Sequence, residues 1–427
     1  MEILRPIISL FLLIGILWLA SSNRKAISWS LVLKGLIIQF ILAFLILELD
    51  WVSNGFDWIG EGFVSLLGFA REGSLFLFGD LGGNTDSFGY IFAFQVLPTI
   101  IFFSAITSLL FHFGILQKVV FVFAWFMKRT LKLSGAESLS AAANVFVGQT
   151  EAPLLVKPYI KGMTRSELMC LMTGGMSTIA GAVLAAYINY LGGDDPERQV
   201  FFARHLLAAS VMSAPAAIVG AKILLPETEN FVDSAEVKIN KQGNWLEAIA
   251  HGTADGLKMS VNVGVMLLVF TAIIALINAL LNAIIGSWTG LNEFIESSTS
   301  GRYKEFNLQS IFGIALAPLT WLMGVPWSDA ASVGQLLGEK TVLNEFYAYV
   351  SMEGLMNSGQ LNSEKAQILS TYILCGFANF ASIGIQIGGI GALAPSRRKE
   401  LSELGLRALL AGTAASLFTA ILVGILY

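Results

Sequence analysis

Asn144-Val145-Phe146-Val147-Gly148-Gln149-Thr150-Glu151-Ala152-Pro153 sets two amides, a glycine, a hydroxyl and a carboxylate inside an apolar region. In lipid such residues are expensive: a charged side chain at the centre of a spanning helix costs about 2.5–3.5 kcal/mol on insertion scales. A chain that keeps them at membrane depth uses them, so the stretch reads as part of a binding site. Composition makes the membrane the relevant solvent. Of 427 residues, 55% are hydrophobic and 13% charged, with a mean hydropathy of +0.70. A soluble domain carries about 25% charged residues. Uncharged runs at 7–20, 37–47, 90–111, 259–288 and 408–427 approach the ~20 residues that span a bilayer. The first run lacks the basic n-region and the small-residue cleavage site of a signal peptide, so it reads as a retained helix.

Lysine and arginine in short loops orient the segments. Arg24 and Lys25 place the first loop in the cytoplasm and the N-terminus outside. A helix over 30–48 runs outward, and 52–88 is too polar and glycine-rich to span, with an interfacial amphipathic helix over 52–71. A helix over 90–111 returns, and 116–127 lies at the interface before Lys128, Arg129 and Lys132. Lys157, Lys161 and Arg165 are basic again. The segment between, 133–156, therefore starts and ends on the cytoplasmic side. It folds at Gly148 and stops at Pro153, with arms of about ten residues, too short to cross. It reads as a re-entrant hairpin, and such backbone survives at depth only against protein or a water-filled cavity.

Thr164-Arg165-Ser166-Glu167 is a capping box opening a helix to about 190 that unwinds within 174–181. A helix over 200–225 goes in, and a linker over 226–258 with Lys238, Lys241 and Lys258 is cytoplasmic. A helix over 259–285 goes out, although Arg302 and Lys304 in the following loop fit the charge rule poorly. The first half is then echoed. Asp329-Ala330-Ala331-Ser332 leads to Thr341-Val342-Leu343-Asn344-Glu345, as Glu137-Ser138-Leu139-Ser140 leads to Gln149-Thr150-Glu151. Asn362-Ser363-Glu364 caps a helix that breaks within 376–382, and a last helix over 402–426 ends outside. Interrupted segments in matching positions of two halves are the best sequence pointer to a transporter site. The expected fold is an all-α polytopic membrane protein with about eight transmembrane helices and two opposed re-entrant hairpins in an inverted repeat. Its parts are 1–111, 112–225 with the first hairpin at 133–158, 226–306, and 307–427 with the second tip at 341–346.

The polar set at depth is Asn144, Gln149, Thr150, Glu151, Thr178, Glu345, Asn379 and Ser382. It contains no cationic side chain, so an anion would meet uncompensated repulsion. A neutral molecule with hydroxyls and an amide-like edge fits, because carboxylates accept hydroxyl hydrogens and amides read donor–acceptor edges. The competing reading of Thr178 and Ser382 is a bond back to their own turn, and that of Phe377 is packing. Coupling to Na⁺ through oxygen ligands, or to a proton on a glutamate, are both open at this point. No Ser/His/Asp arrangement, nucleotide loop or metal cluster is present, and His112, His205 and His251 are scattered, so an enzyme is not expected. Cys170 and Cys375 read as buried free thiols, and no basic patch points to nucleic acid. A channel or receptor for small polar solutes is the alternative of another class.

Four ordered motifs carry a resemblance: Gly148-Gln149-Thr150-Glu151-Ala152-Pro153, Thr341-Val342-Leu343-Asn344-Glu345-Phe346, Cys375-Gly376-Phe377-Ala378-Asn379-Phe380-Ala381-Ser382-Ile383 and Gly391-Ala392-Leu393-Ala394-Pro395-Ser396-Arg397-Arg398. With them the chain resembles the concentrative nucleoside transporter family in its short bacterial form. The resemblance implies a homotrimer in the lipid of a bacterial inner membrane, in which the loop charges place both termini in the periplasm. It also implies elevator-type movement of a transport domain against a scaffold. It assigns Gln149, Thr150 and Glu151 to the base, Glu345, Asn379 and Ser382 to the ribose, and Phe377 to the pocket wall. It assigns sodium to Asn144, the Val147 carbonyl, Thr178 and the Ile179 carbonyl. The Gln-Thr-Glu-Ala-Pro form favours sodium as the coupling ion, with a proton-coupled nucleoside symporter as the alternative.

Overall fold

Apolar runs long enough to span, and small residues where helices must approach closely, build the observed architecture. The computed structural model describes residues 3–82, 91–229 and 244–427, and all regular structure among them is helical. Lys238 and Lys241 of the expected linker lie outside the described residues.

α1 (Leu4–Ala20), α2 (Trp29–Glu48) and α3 (Asp50–Phe78) open the chain. The interfacial helix expected over 52–71 runs further at both ends and stops at Gly79, whose φ of +58° suits glycine. After a single turn, Phe92–Gln95, come α4 (Leu97–His112) and the amphipathic α5 (Ile115–Leu131). The first hairpin follows as α6 (Gly135–Asn144), α7 (Ala152–Leu155) and α8 (Lys157–Ile160). Its second arm is two separate turns rather than one ten-residue arm, because Pro158 lacks the N–H that would bond back to the first turn and continue the ladder. Next are α9 (Arg165–Ser177), α10 (Gly181–Gly192), α11 (Pro196–Leu224) and α12 (Trp245–Leu280). α12 starts well before the expected 259, so the second part of the supposed linker is helical.

α13 (Leu291–Ser298) and α14 (Leu308–Leu322) precede the second hairpin, α15 (Trp327–Val342) and α16 (Glu345–Asn357). α17 (Glu364–Leu374), α18 (Phe380–Leu393) and α19 (Arg398–Leu426) end the chain. Among the described residues, six helices are long and apolar enough to cross a membrane, joined by the shorter apolar α1 and α18.

α9–α10 and α11 form the interior, with 94% and 89% of their apolar windows buried, whereas only 6% is buried along α12. Lipid is as apolar as leucine, so such helices associate by close packing of small residues. Gly252 and Gly256 on α12 do this against α4: a Cβ on Gly252 would stand 2.8 Å from the Ala105 Cα.

Loop contacts pair the ends as the charge pattern requires. Ser22 N–H donates to Leu224 O at 2.9 Å, and the Arg397 guanidinium donates to the Ile160, Lys161 and Met163 carbonyls. On the other face, Arg71 pairs with Asp194 at 3.1 Å. Arg302, the residue that fitted the charge rule poorly, is a structural donor. Its guanidinium holds Ser332 Oγ, Gln360 O and Ser328 O at the base of the second hairpin. At the base of the first, buried Lys222 lies 2.6 Å from Glu137 and 2.9 Å from Ser166 Oγ, tying α6, α9 and α11 together.

The two breaks lie back to back. The first is not at Gly174-Gly175, which stay helical; only Thr178–Ala180 leave the helix. The second spans Cys375–Asn379. Gly376 has φ +90°, and a Cβ there would fall 2.5 Å from the Ser177 carbonyl carbon, so glycine is required on both counts. Cys170 and Cys375 are buried and free.

Candidate functional site: two hairpin tips and two broken helices

Caps place the polar side chains. Ser134 and Glu137 form a reciprocal capping box that starts α6, and Thr164 with Glu167 does the same for α9. Asn344 Oδ1 accepts the Tyr347 N–H at 2.8 Å, which puts Glu345 in the first turn of α16. Asn379 Oδ1 accepts the Ser382 N–H at 2.9 Å and starts α18. A helix N-terminus favours an anion, so Glu345 sits where the backbone supports its charge.

These residues meet. Glu345 is buried, with Oε2 accepting from Asn379 Nδ2 at 2.8 Å and Oε1 from the Tyr187 hydroxyl at 3.3 Å. Gln149 Nε2 donates to Ser382 Oγ at 3.2 Å. Gln386 Nε2 donates to Gln149 Oε1 at 3.1 Å and to Met172 O at 2.9 Å. The first tip and the second tip are thus joined through the second broken helix. Phe377 is half-buried at that break. Thr150 is exposed and Glu151 half-buried; the Glu151 carboxylate folds back to accept the Gly148 N–H at 3.4 Å.

Tyr187, Lys340 and Gln386 were missed by the sequence reading. Tyr187 sits on α10, its ring 4.7 Å from that of Phe346. A buried phenol needs a hydrogen-bond partner, and that need was the available signal. Lys340 is 0% exposed; its ammonium donates to Ile373 O at 2.8 Å, Cys375 O at 2.9 Å and Ser416 Oγ at 3.0 Å. It satisfies carbonyls that the second break releases from the helix.

Gly175 keeps this cluster close. A Cβ there would stand 2.7 Å from Gln386 Nε2 and 2.8 Å from Gln149 Cβ. Gly175→Ala is expected to displace both amides at about 1–3 kcal/mol of overpacking strain. Ligand affinity falls about tenfold while the helical circular dichroism holds. Unchanged affinity would mean that the amides can retreat freely.

At the first break, Asn144 Nδ2 donates to Ser140 O at 3.0 Å, and its Oδ1 is buried without a donor among the described residues. Thr178 bonds back to Gly174 O at 3.1 Å, leaving its oxygen lone pairs free to accept. The hairpin and the break are in contact: Gly181 N–H donates to Phe146 O at 3.2 Å, and a Cβ on Gly174 would meet Asn144 Nδ2 at 2.9 Å. Val147 and Ile179 lie in the non-helical turns there. An orphaned amide oxygen, a hydroxyl and turn carbonyls suit a hard monovalent cation, so the residues present fit sodium.

Comparison with known proteins agrees. The chain matches family models for the C-terminus and N-terminus of the Na⁺ dependent nucleoside transporter over residues 205–424 and 8–81, and a nucleoside recognition (Gate) model over 93–193. It is 41% identical to an uncharacterized transporter of Haemophilus influenzae across 100% of this chain and 98% of that protein. It is 40% identical to the rat sodium/nucleoside cotransporter 1, covering 96% of this chain but 62% of the longer rat protein. CNTnw in an inward-facing substrate-bound state superposes with a TM-score of 0.90 at 37% identity, over 100% of this chain and 98% of that one. An outward-facing variant of CNTnw gives 0.89 at 36% identity with the same coverage. Two opposed hairpins, two broken helices and these matches along the whole length have one explanation: the chain belongs to the concentrative, Na⁺ dependent nucleoside transporter family.

Proposed function

We propose that this protein is a sodium-coupled symporter that imports nucleosides across the cytoplasmic membrane by elevator-type alternating access. It is a multi-pass transporter and not an enzyme, and sodium is the coupling ion. The observation that carries the substrate reading is the Gln149–Ser382 and Glu345–Asn379 pairing. It brings one ligating residue from each hairpin to the same broken helix. Glu345, Asn379 and Ser382 would hold the ribose hydroxyls. Gln149, Thr150 and Glu151 would face the base, and Phe377 would line the pocket. Asn144, Thr178 and the Val147 and Ile179 carbonyls would hold sodium. In this reading the hairpins, both broken helices, α11 and α19 move as the transport domain. The N-terminal helices and α12 form the scaffold of a homotrimer in the inner membrane, with both termini periplasmic.

Residues 144–151 then touch both solutes. Sodium that orders the tip raises nucleoside affinity, and nucleoside raises sodium affinity by the same factor. Uridine uptake into proteoliposomes is therefore expected to require an inward sodium gradient. A pH gradient alone is expected to drive none, which separates the proton-coupled alternative. Accumulation against a gradient separates a channel or a receptor. Asn144→Leu is expected to retain the fold and lose the sodium response, with uptake down at least roughly tenfold, the worth of one buried charge-assisted contact. Sodium-stimulated uptake persisting in that variant would remove Asn144 from the ion site.

A further inference from the structure

We propose that Gln386 is a positioning residue that fixes the Gln149 side-chain amide, so that the site meets a nucleobase with a hydrogen-bond donor at that point. This rests on the reading of Gln149 as a base contact. The oxygen and nitrogen of a carboxamide normally exchange by a half-turn at little cost, and only the surrounding network assigns them. Here the network ends on a group with no ambiguity. Met172 O is a backbone carbonyl and can only accept. The Gln386 atom 2.9 Å from it must therefore be nitrogen. That same nitrogen is 3.1 Å from the Gln149 side chain, so the facing Gln149 atom must be oxygen. Gln149 nitrogen is left on the other side, 3.2 Å from Ser382 Oγ. Turning either amide would set two acceptors or two donors against each other in a buried site, where unmade hydrogen bonds are costly.

An NH₂ group carries two hydrogens. Ser382 takes one, and the second remains for a ligand. A base presenting a carbonyl oxygen there is accepted. A base presenting an exocyclic amino group sets N–H against N–H. Burial reinforces the arrangement: Gln386 is 1% exposed, and its Oε1 has no donor among the described residues. Gly175 leaves the space in which both amides meet.

Uridine and cytidine test this, since one ring carbon carries a carbonyl in uridine and an amino group in cytidine, with the adjacent ring nitrogen a donor in the first and an acceptor in the second. Dissociation constants are measured by calorimetry on the purified full-length protein in saturating NaCl. Wild type is expected to favour uridine by roughly tenfold, the worth of one mismatched hydrogen bond. Gln386→Met keeps the side-chain length and removes the donor. Gln149 can then turn, and the ratio is expected to fall to within about twofold. A purely structural role would weaken both nucleosides by one factor and leave the ratio unchanged, which overturns the proposal, as does a wild type that does not favour uridine. Gln149→Leu is measured in parallel. If it keeps the wild-type ratio, the base-contact reading itself fails. If it abolishes the ratio while Gln386→Met preserves it, only the positioning role fails. Should Gln386→Met not fold, Gln386→Asn, which withdraws the amide from Gln149 by one methylene, is read in the same way.

Discussion

Glu345→Gln is expected to weaken uridine binding by about 10- to 100-fold and to abolish measurable sodium-driven uptake at low substrate, because hydrogen bonds to a charged group contribute roughly 1.5–3 kcal/mol. The wild-type carboxylate accepts from Tyr187 on one oxygen and from Asn379 on the other. A carboxylate has further lone pairs beyond those two bonds, and these can receive ribose hydroxyl hydrogens. A glutamine replaces one acceptor with a donor. Its NH₂ can face the Tyr187 hydroxyl, which then accepts instead of donating, while the remaining oxygen still accepts from Asn379; the opposite orientation sets NH₂ against NH₂ at Asn379 and disturbs the cap it makes to Ser382. Calorimetry with uridine and 2′-deoxyuridine reads the effect. If Glu345 holds a ribose hydroxyl, the variant discriminates between the two ligands less than wild type does. Undiminished uridine affinity in a folded Glu345→Gln protein would remove the carboxylate from the substrate site.

Lys340→Met is expected to cost stability more than any other single change considered for this chain. The ammonium donates to Ile373 O, Cys375 O and Ser416 Oγ, and methionine leaves all three buried without that donor. Each unmet buried group costs about 1–3 kcal/mol, against a typical total of roughly 5–15 kcal/mol for a folded domain. A drop in the unfolding midpoint of roughly 5–10 °C is expected in detergent, with a lower yield of folded protein. Lys258→Met is the control, since that side chain is 78% exposed on α12 and its ion pair with Asp255 is loose at 4.0 Å. Equal midpoints for the two variants would mean that water enters at the second break and replaces the ammonium.

The first hairpin was legible because the cue is chemical and local: a segment flanked by lysines and arginines on both sides, too short to cross twice, has to turn back. The second was legible only as an echo of the first. The caps at Thr164 and Ser363 were legible for the same reason, since a cap is made within three or four residues of chain. Boundaries were less so. Gly174 and Gly175 read as helix breakers, yet both remain helical. Their missing Cβ atoms make room for Asn144, Gln149 and Gln386, which belong to other elements. Propensity cannot separate those two uses of glycine, because the difference lies in what packs against it. Arg302 looked like a misplaced topology signal until its carbonyl and hydroxyl partners across the loop were seen.

The sequence by itself determined the solvent, the all-helical class and the order of the apolar segments, and it led to an expectation of eight spanning helices where six among the described residues are long and apolar enough to cross. Those properties follow from transfer energies and loop charges, which each segment carries alone. Only the tertiary structure decided which polar groups satisfy one another. Tyr187 reaches Glu345, Gln386 reaches Gln149, and Lys340 reaches the second break from the facing hairpin, all across separations that no local pattern encodes. The physical reason is burial. In a low-dielectric interior every donor and acceptor must find a partner, and the nearest partner in space is set by how helices cross, not by where residues fall along the chain.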